Sequence, residues 1–592
     1  MSYRTHFTSE LNLSAEGERV KVAGWVGRRR DHGGIAFIDI RDGKGIVQVV
    51  ADPDAIPLIE ELRMEFTVSV TGQVAARPEG TVNPDLETGE IEIRAEEISV
   101  LSPSDTLPFM LDDRTEIDER TRLKYRYLDL RRPRMAANLR ARSRATAAIR
   151  RTLDDLGFLE VETPTLVRST PEGARDMLVP SRLRQGDFYA LPQSPQLFKQ
   201  LLMISGVERY FQIARCYRDE DFRSDRQLEF TQLDLEGSFW EQDDIHATIE
   251  ATLVAATREL RGQEMPGPFP KLTWQQAMDR YGTDKPDIRF AMELVDLSDL
   301  FKTSGFGVIE SALQQGGTVR AINAGTLELS RARADSLVER AKELGGKGLI
   351  WLQVENDGTL RSPVAKYLSD DEEAGLKERL EAEPGDVLLI AADQWKTAVT
   401  VLGGLRNDLG RPRGHEELAF LWVVDFPLFE EGADGQRTFS HHPFTSPRSV
   451  DEMRDNPDEA LSNAYDMVLN GVELGSGSIR IHDPAVQRQV FDILGIDPET
   501  AERRFGWFLE ALRFGTPPHG GFAFGIDRLV MILQEESSIR EVIPFPKTQT
   551  GIDPLTEAPA PVDEQQLSEL GLQLLPEVAA LQKERDADPP SI

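Results

Sequence analysis

The stretch that most limits what this chain can become is FQIARCYRDEDFRSDRQLEFTQLDLE, residues 211–236. Residues 211–216 form a short apolar run, and 230–235 alternate apolar with polar or charged side chains, as a half-buried strand does. Between them, residues 218–226 (RDEDFRSDR) are too polar to bury. The pattern predicts strand, charged hairpin, strand. Taken alone, such a hairpin is a solvated loop with weak surface ion pairs. Yet Arg218, at a strand end and facing a polar loop, offers a planar fork of donors suited to a phosphate. A second stretch, GGFAFGIDRL at 520–529, runs a glycine-rich apolar strand into a helix predicted over 528–535, with Arg528 where the helix begins.

At 592 residues the chain exceeds one core, so three or more domains are expected. Its 40% hydrophobic and 29% charged content is ordinary for a soluble globular protein. No apolar run approaches the ~20 residues of a membrane span, and the first ten residues lack a signal-peptide core, so a cytoplasmic protein is expected. The single cysteine, Cys216, excludes an internal disulfide and a cysteine-based structural zinc site, and reads as a small core residue. No histidine or cysteine cluster suited to a transition metal is apparent. A net charge of -33 argues against indiscriminate nucleic-acid binding but leaves room for a specific RNA partner, because local patches make phosphate contacts. Much of the excess is peripheral, with nine acids against two bases in residues 551–592.

Residues 1–104 read as a small β domain with strands at 20–26, 35–39, 46–50, 66–75 and 91–101. A helix-compatible segment lies at 54–63. Five strands with a helix in that slot fit an OB-fold, whose open face binds oligonucleotides. On that face Arg28, Arg29 and Arg30 would hold phosphates, Phe37 would stack a base and Gln48 would read a base edge. The bland alternative makes Phe37 core and Gln48 a surface polar residue. Residues 105–135 carry prolines and dense charge and read as a hinge. A helix is predicted over 136–156, ended by Gly157, and then a strand over 158–164 closed by Pro164. Ser194-Pro195 suits a helix start that sets Gln196 and Lys199 on one face. Residues 288–419 interrupt with strand-like runs at 349–354 and 387–392 and helix-like runs at 330–344 and 370–382, enough for an independent α/β domain. Residues 556–592 read as an acidic, peripheral or partly disordered extension.

The helix and strand at 136–164, the 211–236 stretch and GGFAFGIDRL resemble, in order, motifs 1, 2 and 3 of the class II aminoacyl-tRNA synthetases. TPEGARD, QSPQLFKQLLM, YGTDKPD, HHPFT and NAYDMVLNGVELGSGSIRIH extend the resemblance to the bacterial-type aspartyl branch over nearly the whole chain. It implies a multidomain α+β protein. An N-terminal OB-fold β-barrel would bind the anticodon. An antiparallel-sheet catalytic domain, 136–287 and 420–555, would be split by the inserted α/β domain, and motif 1 would build a homodimer. The implied activity is aspartate–tRNA ligation, with ATP as substrate and Mg²⁺ as cofactor.

The resemblance also implies roles residue by residue. Arg480 and Lys199, with His441 nearby, would hold the aspartate side-chain carboxylate, and Glu172, Gln196 and Asp234 its amine. Arg218 would bridge the α-phosphate and the aspartate carboxylate. Asp219, Glu220, Gln227 and Glu473, with Gly525, Ile526, Asp527 and Arg528, would contact ATP. Phe230 and Arg528 would sandwich adenine, and Asp466 and Glu473 would take Mg²⁺. His32 and Gly80 in the anticodon domain match members that charge both tRNA(Asp) and tRNA(Asn), which implies an amidotransferase to convert Asp-tRNA(Asn). The alternatives are a strict aspartyl enzyme, an asparaginyl or lysyl sibling, and a non-catalytic RNA-binding paralogue. Arg480 with Lys199 argues against lysine, the insertion argues against both siblings, and retention of Arg218, Glu473 and Arg528 argues against the paralogue.

Overall fold

The computed structural model describes residues 2–170, 175–219, 225–410, 417–432 and 435–587. The chain forms two compact units, Met1–Ile117 and Asp118–Ile592. No described helix is long and apolar enough to cross a membrane.

In the first unit β1 (Arg19–His32), β2 (Ile35–Arg41), β3 (Ile46–Ala51), β4 (Thr67–Ala76) and β5 (Ile91–Ser102) close a barrel in the order β1-β2-β3-β5-β4. Val20, Val22, Ile38, Ile40, Val47 and Val49 are buried at alternate positions and fill its interior, the two-residue period that fixes a strand's register. β1 runs past the expected residue 26 to His32, because Arg28–His32 pair with β2 as a hairpin. The helix expected at 54–63 is only a short 3₁₀ turn, Pro57–Glu61.

The second unit is organised on an eight-stranded sheet. Its strands are β6 (Leu159–Glu160), β7 (Arg209–Tyr217), β8 (Glu229–Ser238), β9 (Lys271–Thr273), β10 (Phe420–Val424), β11 (Ala464–Leu469), β12 (Val472–Ile479) and β13 (His519–Gly525). They lie in the order β9-β10-β11-β12-β13-β8-β7-β6. The inner pairs are antiparallel, and the two edge strands β9 and β6 join in parallel. Helices α1 (Pro133–Asp155), α2 (Gln196–Ile204), α3 (Gln242–Arg261) and α4 (Ile526–Leu533) flank it. Pro133 opens α1, where its fixed φ suits the first turn. Ala145, Ile149 and Leu153 of α1 and Ile249 and Leu253 of α3 share one core with Leu233, Trp422 and Phe522 of the sheet. α1 is also tied to α4 and β8: Arg142 pairs with Asp527 and donates to Thr231 Oγ1 at 2.9 Å, while the Thr231 amide donates to Asp527 at 2.7 Å.

The expected hinge at 105–135 is only partly one. From Asp118 onward the segment belongs to the second unit and carries two short helices, Glu119–Lys124 and Arg126–Asp129. Arg122 donates to Asp129 at 3.0 Å and to Glu541 at 2.6 Å, Arg126 donates to the carbonyls of Arg540 (2.7 Å) and Ile543 (2.9 Å), and Arg540 donates to Glu119 at 2.6 Å. Burial alone would raise the Asp129 carboxyl, but Arg122, Arg126 and Arg132 bring it below its ordinary value. Dense charge of both signs here is a buried network, not a solvated linker.

The inserted block forms a five-stranded antiparallel sheet in the order Val295–Asp296, Thr318–Thr326, Asp386–Asp393, Ile350–Val354, Leu360–Arg361. Helices cover both faces. Val387 and Leu389 pack with Leu337 and Leu402 on one side, and Leu388 and Ile390 pack with Ile309 and Leu376 on the other. Two-sided burial explains why this strand reads as a continuous apolar run.

Candidate active site

A cleft of about 630 Å³ opens over β8, β12 and β13. At its floor four charged groups meet with almost no solvent. Asp234 and Glu236 are two apart on β8 and share a face. Lys199, on α2, stands 3.2 Å from Asp234 and 3.4 Å from Glu236. Arg480, just past β12, donates through Nε to Glu236 at 2.9 Å and through Nη1 to Ser478 Oγ at 2.7 Å. Burial opposes ionisation of Glu236, but Arg480 and then Lys199 hold its carboxyl below the ordinary value. For Asp234 burial wins over Lys199 and its carboxyl is raised. Among the described residues of the cleft, Asp234 Oδ2, Gln196 Nε2 and His441 Nδ1 are buried without a hydrogen-bond partner. Glu236 can occupy this place because residue 521 is glycine; a Cβ there would stand 1.8 Å from its Oε2.

At the other end of the cleft the Arg218 guanidinium lies 5.2 Å from the Phe230 ring centre. Arg528 donates to Asp225 at 3.2 Å and to the Glu473 carbonyl. Burial, with the charge of Asp466 behind it, raises the Glu473 carboxyl, and Lys285 and Arg528 offset only part of this. His441 donates through Nε2 to Asp466 at 3.3 Å. Burial disfavours its imidazolium, yet Asp466 outweighs that and raises its pKa.

Several expected residues sit otherwise than anticipated. Ile526 is fully buried in the core and offers no side chain to the cleft. Asp527 reaches the cleft wall, but its carboxylate is spent on Arg142 and the Thr231 amide. Gln227 lines the cleft while both ends of its amide pair with the Lys547 backbone, at 3.1 and 2.9 Å. Asp219 turns to Arg175, 3.7 Å away. Asp466 does not line the cleft and stands behind His441, which does. Glu172 and Glu220 lie outside the described residues. Glu236, Asp225 and Ser478 were not anticipated; the one available signal was Glu236 repeating Asp234 at the strand period in an otherwise apolar run.

On the barrel, register brings the expected nucleic-acid face together. Arg30 lies opposite Phe37, Arg28 opposite Asp39, and Asp39 opposite Gln48, and opposed residues share a face. Phe37 is half-buried on this outer face and outside the core. Gln48 is buried, accepting from Arg30 and donating to Glu92, each at 3.3 Å, so it is not a free surface group. His32 is exposed at the end of β1. Gly80 has φ +80 with open space around it, so its backbone, and not crowding, is what calls for glycine.

Comparison with known proteins identifies the family. Residues 20–101 match the family described as OB-fold nucleic acid binding domain, and residues 118–549 match tRNA synthetases class II (D, K and N). The chain is 53% identical over 581 residues to an aspartate–tRNA(Asp/Asn) ligase of Moorella thermoacetica, covering 96% of each chain. It is 50% identical to one of Thermobifida fusca, covering 97% of this chain and 99% of that one. An aspartate–tRNA ligase of Geobacillus kaustophilus is 51% identical with the same coverage. Among solved structures, an asparaginyl-tRNA synthetase of Pyrococcus horikoshii aligns with a TM-score of 0.57 at 20% identity, over 92% of this chain and 98% of that one, a likeness of fold. With its motifs, its sheet and a family match spanning most of its length, the chain belongs to the class II tRNA synthetases (D, K and N).

Proposed function

We infer that the protein is an aspartate–tRNA ligase that activates L-aspartate with ATP and transfers the aspartyl group to tRNA(Asp) and tRNA(Asn). The observation that carries this reading is the floor of the cleft, where two buried cations face two buried carboxylates. Aspartate brings two carboxylates and an ammonium. Arg480 and Lys199 suit its side-chain carboxylate, and the unpartnered Asp234 Oδ2 suits its amine. An arginine fork discriminates against asparagine, because a neutral amide cannot satisfy the same donors. Glu236 would hold both cations in place when aspartate is absent.

In the first step an oxygen of the aspartate α-carboxylate forms a bond to the α-phosphorus of ATP. The bond to the β-phosphate oxygen breaks, and its electron pair leaves with pyrophosphate. Arg218 stabilises the charge at the α-phosphate, and Phe230 and Arg528 enclose the adenine. In the second step the 3′-hydroxyl oxygen of the terminal tRNA adenosine bonds to the activated carbonyl carbon, the bond from that carbon to the AMP phosphate oxygen breaks, and AMP leaves with the electron pair while the hydroxyl proton passes to solvent. Glu473 lines the cleft with its carboxyl raised by burial and by the charge of Asp466, an under-neutralised acid that fits a divalent cation. Glu473 and Asp466 would hold Mg²⁺, which when bound would neutralise phosphate charge. Exposed Leu159, on the edge strand β6, and exposed Leu166 support a homodimer through motif 1.

The tRNA range is the finer part of the reading. Relatives at 53% and 51% identity carry the tRNA(Asp/Asn) and the simple tRNA name respectively. His32 and Gly80 favour the broader range, in which an amidotransferase must convert Asp-tRNA(Asn). The test is aspartylation of tRNA(Asp) and tRNA(Asn) transcripts side by side. Charging of both is expected. Charging of tRNA(Asp) alone would leave a strict enzyme, and charging of neither would refute the assignment.

A further inference from the structure

The lysine of the YGTDKPD run, Lys285, lines the same cleft as Arg218, Glu473 and Arg528. Its Nζ stands 3.9 Å from Glu473 Oε2 and 4.0 Å from Asp284 Oδ1, too far for a hydrogen bond to either. The side chain is 48% exposed. Arg528, by contrast, is already committed to Asp225 and the Glu473 carbonyl. Among the described residues, Lys285 is therefore a cation beside Glu473 with donors to spare.

Its backbone is held from two sides. Gly282, at φ +67, abuts the helix Trp395–Leu409 of the inserted domain so closely that a Cβ would stand 2.1 Å from the Val399 carbonyl and 2.7 Å from Gly403 Cα. Arg406 of that helix is fully buried and donates to the carbonyls of Asp287 (2.9 Å), Phe290 (2.9 Å), Ala291 (3.3 Å) and Met292 (3.0 Å). On the other side Asp287 packs on Gly471, in the turn leading into β12, the strand that carries Glu473. The inserted domain thus grips the loop just beyond Lys285, and the sheet fixes that loop beside Glu473.

We propose that Lys285 binds the β- and γ-phosphates of ATP and then the departing pyrophosphate, and that the inserted domain positions it through Arg406. The proposal rests on the ligase reading above. When the α-phosphorus bond to the leaving oxygen breaks, the electron pair moves onto pyrophosphate, away from Arg218, and a cation must meet it there. A lysine suits this role because it is a compact point charge on a flexible stem and can follow a group that moves.

The test is aspartate-dependent ATP–pyrophosphate exchange by the full chain, with KM measured separately for ATP, pyrophosphate and aspartate. It is paired with single-turnover transfer from preformed aspartyl-adenylate to tRNA. Lys285→Ala should raise KM for pyrophosphate and ATP by about tenfold or more, the loss of one charge-assisted contact. It should leave aspartate KM and the transfer step unchanged, and Lys285→Arg should recover most of the loss. Arg406→Lys, whose single ammonium cannot span the four carbonyls, should give the same phosphate-specific defect at smaller amplitude. Unchanged phosphate KM values in Lys285→Ala, or an equal loss in transfer, would overturn the role of Lys285. Wild-type behaviour of Arg406→Lys would overturn that of the inserted domain. Absence of exchange in the unaltered protein would instead refute the ligase reading.

Discussion

Replacing Arg480 with lysine isolates geometry from charge. Arg480 uses Nε and Nη2 on Glu236 at 2.9 and 3.4 Å and Nη1 on Ser478 at 2.7 Å, which leaves one N–H on each terminal nitrogen for a ligand carboxylate. A lysine keeps the positive charge, so Glu236 is not left buried and alone, an outcome that would cost about 3–5 kcal/mol of stability. A single ammonium drawn to Glu236 cannot also offer two parallel donors to a substrate. The loss is one charged bidentate contact, about 2–4 kcal/mol, or roughly a 30- to 1000-fold rise in aspartate KM. KM for ATP should move by less than about threefold, and the melting temperature by only a few degrees. The assay is pyrophosphate exchange with aspartate and ATP varied in turn, and asparagine as competitor. Equal changes in both KM values, or undiminished preference for aspartate over asparagine, would show that Arg480 does not read the side-chain carboxylate.

Two further outcomes follow from the barrel and the core. Phe37→Ala removes a half-buried ring from the face shared with Arg28 and Arg30, and should weaken tRNA charging by about 1–3 kcal/mol while pyrophosphate exchange stays intact; equal loss in both assays would place Phe37 outside RNA binding. His246 is stacked 3.9 Å from Trp422, with Nδ1 unpartnered, and burial followed by the charge of Lys271 drives its pKa down to about 3. The unfolded chain binds this proton near pH 6.5 and the folded one does not, so stability falls as pH drops from 6.5 toward 3. His246→Phe should remove about 2 kcal/mol of the stability lost between pH 7 and 5, read from urea unfolding at both values, and an unchanged slope would mean the ring titrates freely.

Much of the fold was legible because its signals are local. Alternation along 230–235, the apolar run at 387–392 and the helix-like run at 330–344 each depend on neighbours a few residues away. Charged segments were harder to read. Residues 118–135 looked like a hinge because the partners of Arg122 and Arg126 lie more than 400 positions away, at Glu541, Arg540 and Ile543. Gln227 and Asp527 looked available for ATP for the same reason, since Lys547, Arg142 and Thr231 come to them only through folding.

From residue order alone came the motifs, the strands that carry them and the chemical types needed for aspartate, phosphate and RNA. Folding decided which charges meet. Lys199 on α2, Asp234 and Glu236 on β8, and Arg480 just past β12 come from three separate parts of the chain, and their balance exists only once water is excluded and they stand about 3 Å apart. Lys285 gained its place at the phosphates from a helix more than 100 residues downstream. Interaction energy between charges depends on separation in space and on local dielectric, and neither can be read from position along a chain.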